Sequence, residues 1–309
     1  MRTTRPATRL PIAATLIALA LAGPHPTANA ATTSSPLAAR PSADEPVERL
    51  SAWPKVESKT NTNKEISRLR KARTEEMGTE SAQVLIDTGA AVVPLLIKSL
   101  DKEKGEEARE RILGVLDSIC GPAHTRLLAQ EFQHRSPVVR RWALTKVAAT
   151  PDTGVREAAE AALGKLLESA EEGREPAAER FAAALCATST GSLAGLDVLY
   201  AEALRDWPGN GHAIRLALEA VRGPQAAARY WGSVHTGSRK EKIATLRMLA
   251  GCGEKEGARK LSSMLDDTDN GIRVAAINAL RGIVDGEPPL VKLATFAAIE
   301  KALKWKARL

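Results

Sequence analysis

The chain has 309 residues, with 44 Lys and Arg against 37 Asp and Glu, a formal net charge of +7. Hydrophobic residues make up 44% and charged residues 26%, an ordinary balance for a folded chain and too apolar for a wholly disordered one. Aromatics are only 3% and Ala is over-used, which disfavours a β-protein built on alternating bulky residues and favours closely approaching helices.

The first thirty residues have their own pattern. Arg2, Arg5 and Arg9 give a positive start with no acid, and Leu10 to Gly23 is an apolar run of fourteen residues. Pro24 and Pro26 follow, then Ala28-Asn29-Ala30. A basic head, a short apolar middle and an A-x-A end predict a secretory signal peptide cleaved near Ala30, and hence a secreted or periplasmic protein. The run is shorter than the ~20 residues that span a bilayer as a helix. Without residues 1–30 and their three arginines the charge falls to +4. That is too small to imply a nucleic-acid partner. Residues 31–63 are rich in Ala, Ser, Thr and Pro, with four basic and four acidic residues that cancel. This composition predicts a flexible leader, with Trp53-Pro54 as its one bulky feature able to dock on the folded part.

From residue 64 to 309 the pattern is helical. Breakers recur at Gly78, Gly89, Gly105, Gly121, Pro151, Gly173, Gly191, Pro208, Gly223, Gly237, Gly253 and Gly286. The intervening pieces are long enough for three or four helical turns. Ser136-Pro137, Glu175-Pro176, Gly223-Pro224 and Pro288-Pro289 read as helix starts, because the first helical N–H has no partner to lose. The pieces also resemble one another. Ile214-Arg215, Ile243-Ala244 and Ile272-Arg273 open similar segments 29 residues apart, and Ala108-Arg109-Glu110-Arg111 is echoed by Val139-Arg140-Arg141-Trp142 31 residues later. A period near 30 to 40 residues predicts an all-α fold, a right-handed α-solenoid of about seven helix pairs. One pair cannot bury its apolar face alone; stacked neighbours share a continuous core. Cys120, Cys186 and Cys252 are spaced 66 residues apart each time, as equivalent positions in a repeat would be. They read as small buried apolar residues, too far apart in such a stack for a disulfide.

Three segments carry a family resemblance. Leu85-Ile86-Asp87-Thr88-Gly89-Ala90-Ala91-Val92-Val93-Pro94-Leu95-Leu96 resembles the first-helix signature of HEAT repeats. Leu265-Asp266-Asp267-Thr268-Asp269-Asn270-Gly271-Ile272-Arg273, running on to Ala279-Leu280, resembles the family's inter-helix turn and second helix, as does Ser136-Pro137-Val138-Val139-Arg140-Arg141-Trp142-Ala143-Leu144. Residues 150–235 depart most, being Ala-rich and without the turn Asp. The resemblance implies an armadillo-type superhelix. It also implies a ladder between turn Asp and second-helix Arg, which Asp267 with Arg273 fits. Arg140 has His134 where that Asp would stand.

Chemical motifs are sparse. There is no G-x-S-x-G elbow and no G-x-x-x-x-G-K-[ST] phosphate loop. Gly251-Cys252-Gly253-Glu254-Lys255-Glu256-Gly257 reads as a helix-ending turn rather than a dinucleotide loop. His124, His134, His212 and His235 are scattered and form no spaced ligand pair. No cofactor or metal is therefore expected. Arg239, Lys240, Lys242 and Arg247 gather near one turn, and Lys292, Lys301, Lys304, Lys306 and Arg308 near the C-terminus, but Glu241 and Glu300 interrupt them. The second group reads as the polar outer face that a terminal solenoid helix needs, with membrane-surface contact as the lesser alternative. The leading expectation is a non-catalytic protein–protein interaction scaffold. Its candidate partner-binding residues are Arg109, Arg140, Arg141, Arg215 and Arg273, at or near second-helix starts, which line the concave side in HEAT proteins. The alternatives are a HEAT-like enzyme of lyase type or an envelope-associated structural protein.

Overall fold

The structure is a computed structural model that describes residues 48–171 and 177–309. The expected signal peptide and most of the leader, and Gly173 and Glu175-Pro176, lie outside the described residues. The described residues fall in one compact unit, Val47–Leu309, helical throughout and without a strand.

Fourteen α-helices occur among the described residues: α1 (Lys59–Arg70), α2 (Glu75–Thr88), α3 (Val93–Lys102), α4 (Glu106–Ile119), α5 (Thr125–Leu128), α6 (Pro137–Ala149), α7 (Arg156–Glu171), α8 (Ala177–Ser189), α9 (Leu196–Arg205), α10 (Trp207–Glu219), α11 (Pro224–Thr236), α12 (Arg239–Cys252), α13 (Asn270–Leu280) and α14 (Thr295–Arg308). The first begins at Lys59, inside the stretch that composition assigns to the leader. Ser58 caps it by accepting from the Asn61 amide (3.4 Å). Residues 48–58 are not a free tether either. The Leu50 amide donates to the Ala123 carbonyl (3.1 Å), and Trp53 stacks on His124 with ring centroids 5.7 Å apart.

Helix boundaries follow local chemistry. Pro137 and Pro224 open α6 and α11 at the first helical position, where a missing N–H costs nothing. Thr74, Asp206, Ser238 and Asp269 accept from otherwise orphaned amides at the starts of α2, α10, α12 and α13. Two expected breakers lie inside helices: Gly78 in α2 and Pro208 at the second position of α10. Pro288-Pro289 does not start a helix. It sits in a loop pinned to α13 by Asn278, which donates to the Leu290 carbonyl (3.3 Å) and accepts from its amide (2.8 Å).

Helices pair in sequence order: α1 with α2, α3 with α4, α5 and the 3₁₀ turns around it with α6, α7 with α8, α9 with α10, and α11 with α12. A twelve-residue 3₁₀ stretch, Lys255–Asp266, pairs with α13, and α14 covers both. Such long 3₁₀ runs are uncommon. Here Ala258, Leu261 and Met264 are buried at the three-residue spacing that 3₁₀ geometry aligns, and Gly257 lies so close to Trp231 that a Cβ would sit 2.3 Å from the ring. Within the Ala-rich stretch 150–235 the pairing continues. Contacts also run from α6 to α8, α10, α12 and α13, so the second members of successive pairs touch in a line.

The core follows the same line. It runs from Ile66 and Leu69 through Leu96, Leu116, Leu144, Leu163, Leu199, Leu218, Leu249 and Leu280 to Trp305. Cys120, Cys186 and Cys252 are buried and unpaired. Burial pushes the Cys120 and Cys252 thiols up to about 12, and the Cys186 thiol up as well. Glu75–Lys102 is long and apolar enough to cross a membrane by length and composition. Gly89, at φ 72°, breaks it into α2 and α3. Leu85, Val92, Val93, Leu96, Ile97 and Leu100 are buried within the core, which accounts for the hydropathy.

Candidate functional site

The expected partner-binding arginines are mostly occupied within the chain. Arg109 Nε donates to the Glu103 carbonyl (2.8 Å), Arg140 Nη1 to the His134 carbonyl (2.8 Å), and Arg273 Nη2 to the Asp267 carbonyl (2.8 Å). In each case the acceptor is the backbone oxygen six residues earlier. A carbonyl is present whatever the side chain, which explains why His134 serves as well as Asp267. The Asp267 carboxylate does not pair with Arg273, as the resemblance implied; it accepts from the Asp269 amide (2.9 Å). The inter-helix rung is carried by Asp269, which caps α13 with one oxygen and pairs with Arg239 (2.5 Å) through the other. That Arg239 contact, with the capping amides, holds the Asp269 carboxyl below the usual carboxylate range.

Similar rungs recur. Arg70 pairs with Glu103 (2.5 Å), Arg135 with Asp101, and Arg140 with the buried Glu179. Arg215 pairs with Glu219 on its own helix (3.0 Å). Of the five, only Arg141 is exposed, and it makes neither an ion pair nor a side-chain hydrogen bond among the described residues. The arginines therefore brace turns and successive pairs, and the recurrence seen in sequence reports that bracing.

The basic clusters are likewise neutralised in part. Arg247 lies over the Trp207 ring at 5.0 Å, and burial holds its guanidinium below its ordinary value. Lys304 pairs with Glu300, Lys306 with Asp266 and Arg308 with Asp285.

Two clefts open near the N-terminal end. One, of about 380 Å³, is lined by Trp53, Ile97, Asp101, Glu131, His134 and Arg135, among others. Burial raises the Glu131 carboxyl. His134 Nδ1 accepts from the Ser136 amide (3.0 Å), and the Arg135 side-chain contact holds Asp101 low.

The second cleft, of about 470 Å³, lies between the α1–α2 turn, α2 and α4. Its apolar lining is Leu69, Ala72, Ala82, Ile86 and Val115; Arg73, Glu75, Glu107 and Arg111 supply charge, and Thr74, Thr79 and Ser118 supply hydroxyls. Two mid-helix glycines hollow it. A Cβ on Gly78 would sit 3.5 Å from the Arg111 stem, and one on Gly114 would meet nothing within 4 Å. Glycine inside a helix costs about 1 kcal/mol relative to alanine, and at Gly114 no neighbour requires it. Arg111 Nη2 donates to the Arg70 carbonyl (3.3 Å), Nη1 stands 3.8 Å from Glu107, and its buried Nε has no partner. An apolar floor with a polar, charged rim is the makeup of a protein-interaction patch.

Arg111 sits two residues past Arg109 in the quoted sequence echo; both are half-buried, and their contacts separate them: Arg109 closes on its own turn, while Arg111 lines the cleft. A glycine inside a helical pattern is the signal that sequence carried for this site. Among the described residues no group of three or more His, Cys, Asp or Glu is placed to hold a metal ion. No protein-family model matches the chain, and no curated protein matches it.

Proposed function

We propose that this chain is a HEAT-type α-solenoid acting as a secreted or periplasmic, non-catalytic protein-interaction scaffold, and that the α2–α4 cleft receives part of its partner. Pairing of helices in sequence order, with second members touching in a line, supports the solenoid reading. The basic head, apolar run and A-x-A sequence before residue 31 support export. The observation that carries the binding role is the cleft itself: an apolar floor opened by Gly78 and Gly114, beside an arginine whose buried Nε is unpartnered. Arg141 and Arg73 then replace Arg109, Arg140, Arg215 and Arg273 as the cations open to a partner.

The test is photo-cross-linking in the source's own envelope and secreted fraction. A photoreactive residue replaces Thr79 or Ser118 in the cleft, or the exposed Thr236 as a control. A discrete protein adduct from the two cleft positions, lost on Gly114→Phe, is expected. Equal adducts from Thr236, or adducts indifferent to Gly114→Phe, would overturn the cleft assignment.

A further inference from the structure

The C-terminal helix departs from what a terminal helix should be. An end helix of a stacked array keeps a polar outer face for solubility. α14 buries Ala298, Ala302 and Trp305 on one side. On the opposite side it exposes Phe296, Ile299 and Leu303, at the i, i+3, i+7 spacing that shares one helical face. Val291, just ahead of the helix, is 94% exposed and Phe296 82%. Four of the seven large apolar side chains that the described residues expose fall within positions 291–303. Scattered apolar side chains on a surface are ordinary, whereas a contiguous set marks a contact site.

This set is held in place. Asn278 grips both the amide and the carbonyl of Leu290, immediately before Val291. Arg259 Nε donates to the Leu309 carbonyl (2.6 Å), Lys306 pairs with Asp266, and Arg308 pairs with Asp285 (2.7 Å) while lying 4.1 Å over Trp305. α14 is thus fixed on its inner side, and its outer apolar face is a consequence of that docking.

Charge narrows the occupant. Residues 291–309 hold five basic residues and one acid, Glu300, which Lys304 neutralises at 2.6 Å. Lys292 and Lys301 make no ion pair among the described residues. A partner helix seats its apolar face in a groove. Here Phe296, Ile299 and Leu303 project as a ridge from one helical face; Lys292 directly follows Val291 and Lys304 lies on the flank of that face, while Lys301 falls on the far side of the helix. Such a ridge suits a layer that takes in apolar side chains to a depth of roughly 5–10 Å and presents negative charge around them. We infer that the Val291–Leu303 ridge, an exposed apolar face flanked by Lys292 and Lys304, docks on an anionic phospholipid surface. The docking is peripheral: α14 lies along the surface, and its inner face stays on α13 and the 3₁₀ stretch.

The test must read this ridge and no other part of the full chain, whose apolar residues 10–23 bring their own lipid affinity. The native thiols make that possible. All three are buried with raised pKa, so a cysteine placed at Val291 is the one that reacts readily with an environment-sensitive fluorophore. The full-length Val291→Cys variant is labelled and titrated with vesicles of phosphatidylcholine, with and without phosphatidylglycerol. A blue shift and several-fold brightening with the anionic vesicles is expected. A label at Gln83→Cys, exposed on α2, should show neither. Phe296→Ser with Leu303→Ser, both at exposed positions, should lower the apparent partition coefficient more than tenfold. Lys292→Gln should lower it roughly fivefold at low salt, and Lys301→Gln, on the far side of α14, should lower it less. No spectral change at position 291, or one equal to that at position 83, overturns the inference. So does equal partition onto neutral vesicles. Brightening without lipid that rises with protein concentration and vanishes in Phe296→Ser/Leu303→Ser would make the ridge a contact between copies of this chain, and overturns it too.

Discussion

α4 buries a single stripe, Ala108, Ile112, Val115 and Leu116, and leaves Glu106, Glu107, Glu110 and Asp117 to solvent. α8 and the residue that follows it bury nine successive residues, Ala182 to Thr190, eight of them Ala, Cys, Ser or Thr. Both are second members of their pairs, but α8 is met by α6, α7, α9 and α10. A helix enclosed on several sides has no room for large side chains. Its neighbours approach until backbone meets backbone: a Cβ on Gly195 would sit 2.5 Å from the Ala184 carbonyl oxygen. A helix near the end of the stack holds on with a few large side chains and has surface left over, and α4 uses that surface for a cleft. The composition that makes residues 150–235 look irregular is thus the composition of enclosed helices, whereas the less enclosed α4 borders a cleft.

The sharpest way to break this contrast is truncation. Leu116→Ala in α4 should cost about 3–4 kcal/mol through transfer and cavity terms, while Ala183→Gly in α8 should cost about 1 kcal/mol, chiefly in helix propensity. Chemical denaturation of the two variants decides it; equal losses would mean that the two helices pack alike. Enlargement should invert the order. Ala183→Leu forces a large side chain into the enclosed helix and should cost about 3 kcal/mol, whereas Gly114→Leu in α4 should be neutral or stabilising by about 0.5–1 kcal/mol as it fills the cleft. Thermal midpoints moving in the same direction would refute the contrast between the enclosed and the less enclosed helix.

The arginine braces offer a third contrast. Arg140→Ala strands Glu179, which is buried, and should cost about 2 kcal/mol, less than a fully buried pair because the Arg140 side chain keeps 21% of its surface in water. Arg109→Ala loses one bond to a backbone carbonyl and should cost about 1 kcal/mol. Urea unfolding of both, with Glu179→Gln added to Arg140→Ala, checks the account: the added substitution should restore part of the loss.

The smallest expected effect is a pH slope in the N-terminal region. Burial lowers the His124 imidazole below its ordinary 6.5. The Gly121 amide donates to Nδ1 (3.1 Å), which sets the neutral tautomer with its proton on Nε2. A lowered histidine means that the unfolded chain binds more protons than the folded one between the folded value and 6.5. Stability is then complete above 6.5 and declines as pH falls through that window. His124→Gln should flatten the decline in a series of melting curves, and an unchanged slope would assign it to other groups.

Much of the architecture was legible along the chain. The recurrent segments at Val139-Arg140, Ile214-Arg215, Ile243-Ala244 and Ile272-Arg273 fall within α6, α10, α12 and α13, and Pro137 and Pro224 mark true helix starts, because proline chemistry acts over one residue. The irregularities escaped for the opposite reason. The long 3₁₀ stretch depends on Trp231 pressing against Gly257, and the loop holding Pro288-Pro289 depends on Asn278 reaching Leu290, contacts between residues well separated in sequence. Of the site, the arginine pattern was visible but its meaning was not. Arg109 and Arg111 are the same residue type two positions apart, and only their neighbours in space decide which closes a turn and which faces a cleft.

Sequence alone therefore determined that the folded part is helical, where most helices begin and end, and that its apolar residues need partners from adjacent segments. Each of these is set by propensity, capping or periodicity, which act within one or two helical turns. The tertiary structure decided which charges remain free, which glycines hollow a surface, and which apolar face is left outward. Those outcomes depend on what packs opposite each helix. α14 illustrates the division: its basic residues read as a polar outer face in the sequence, but with Ala298, Ala302 and Trp305 committed to the core, Phe296, Ile299 and Leu303 are left facing water.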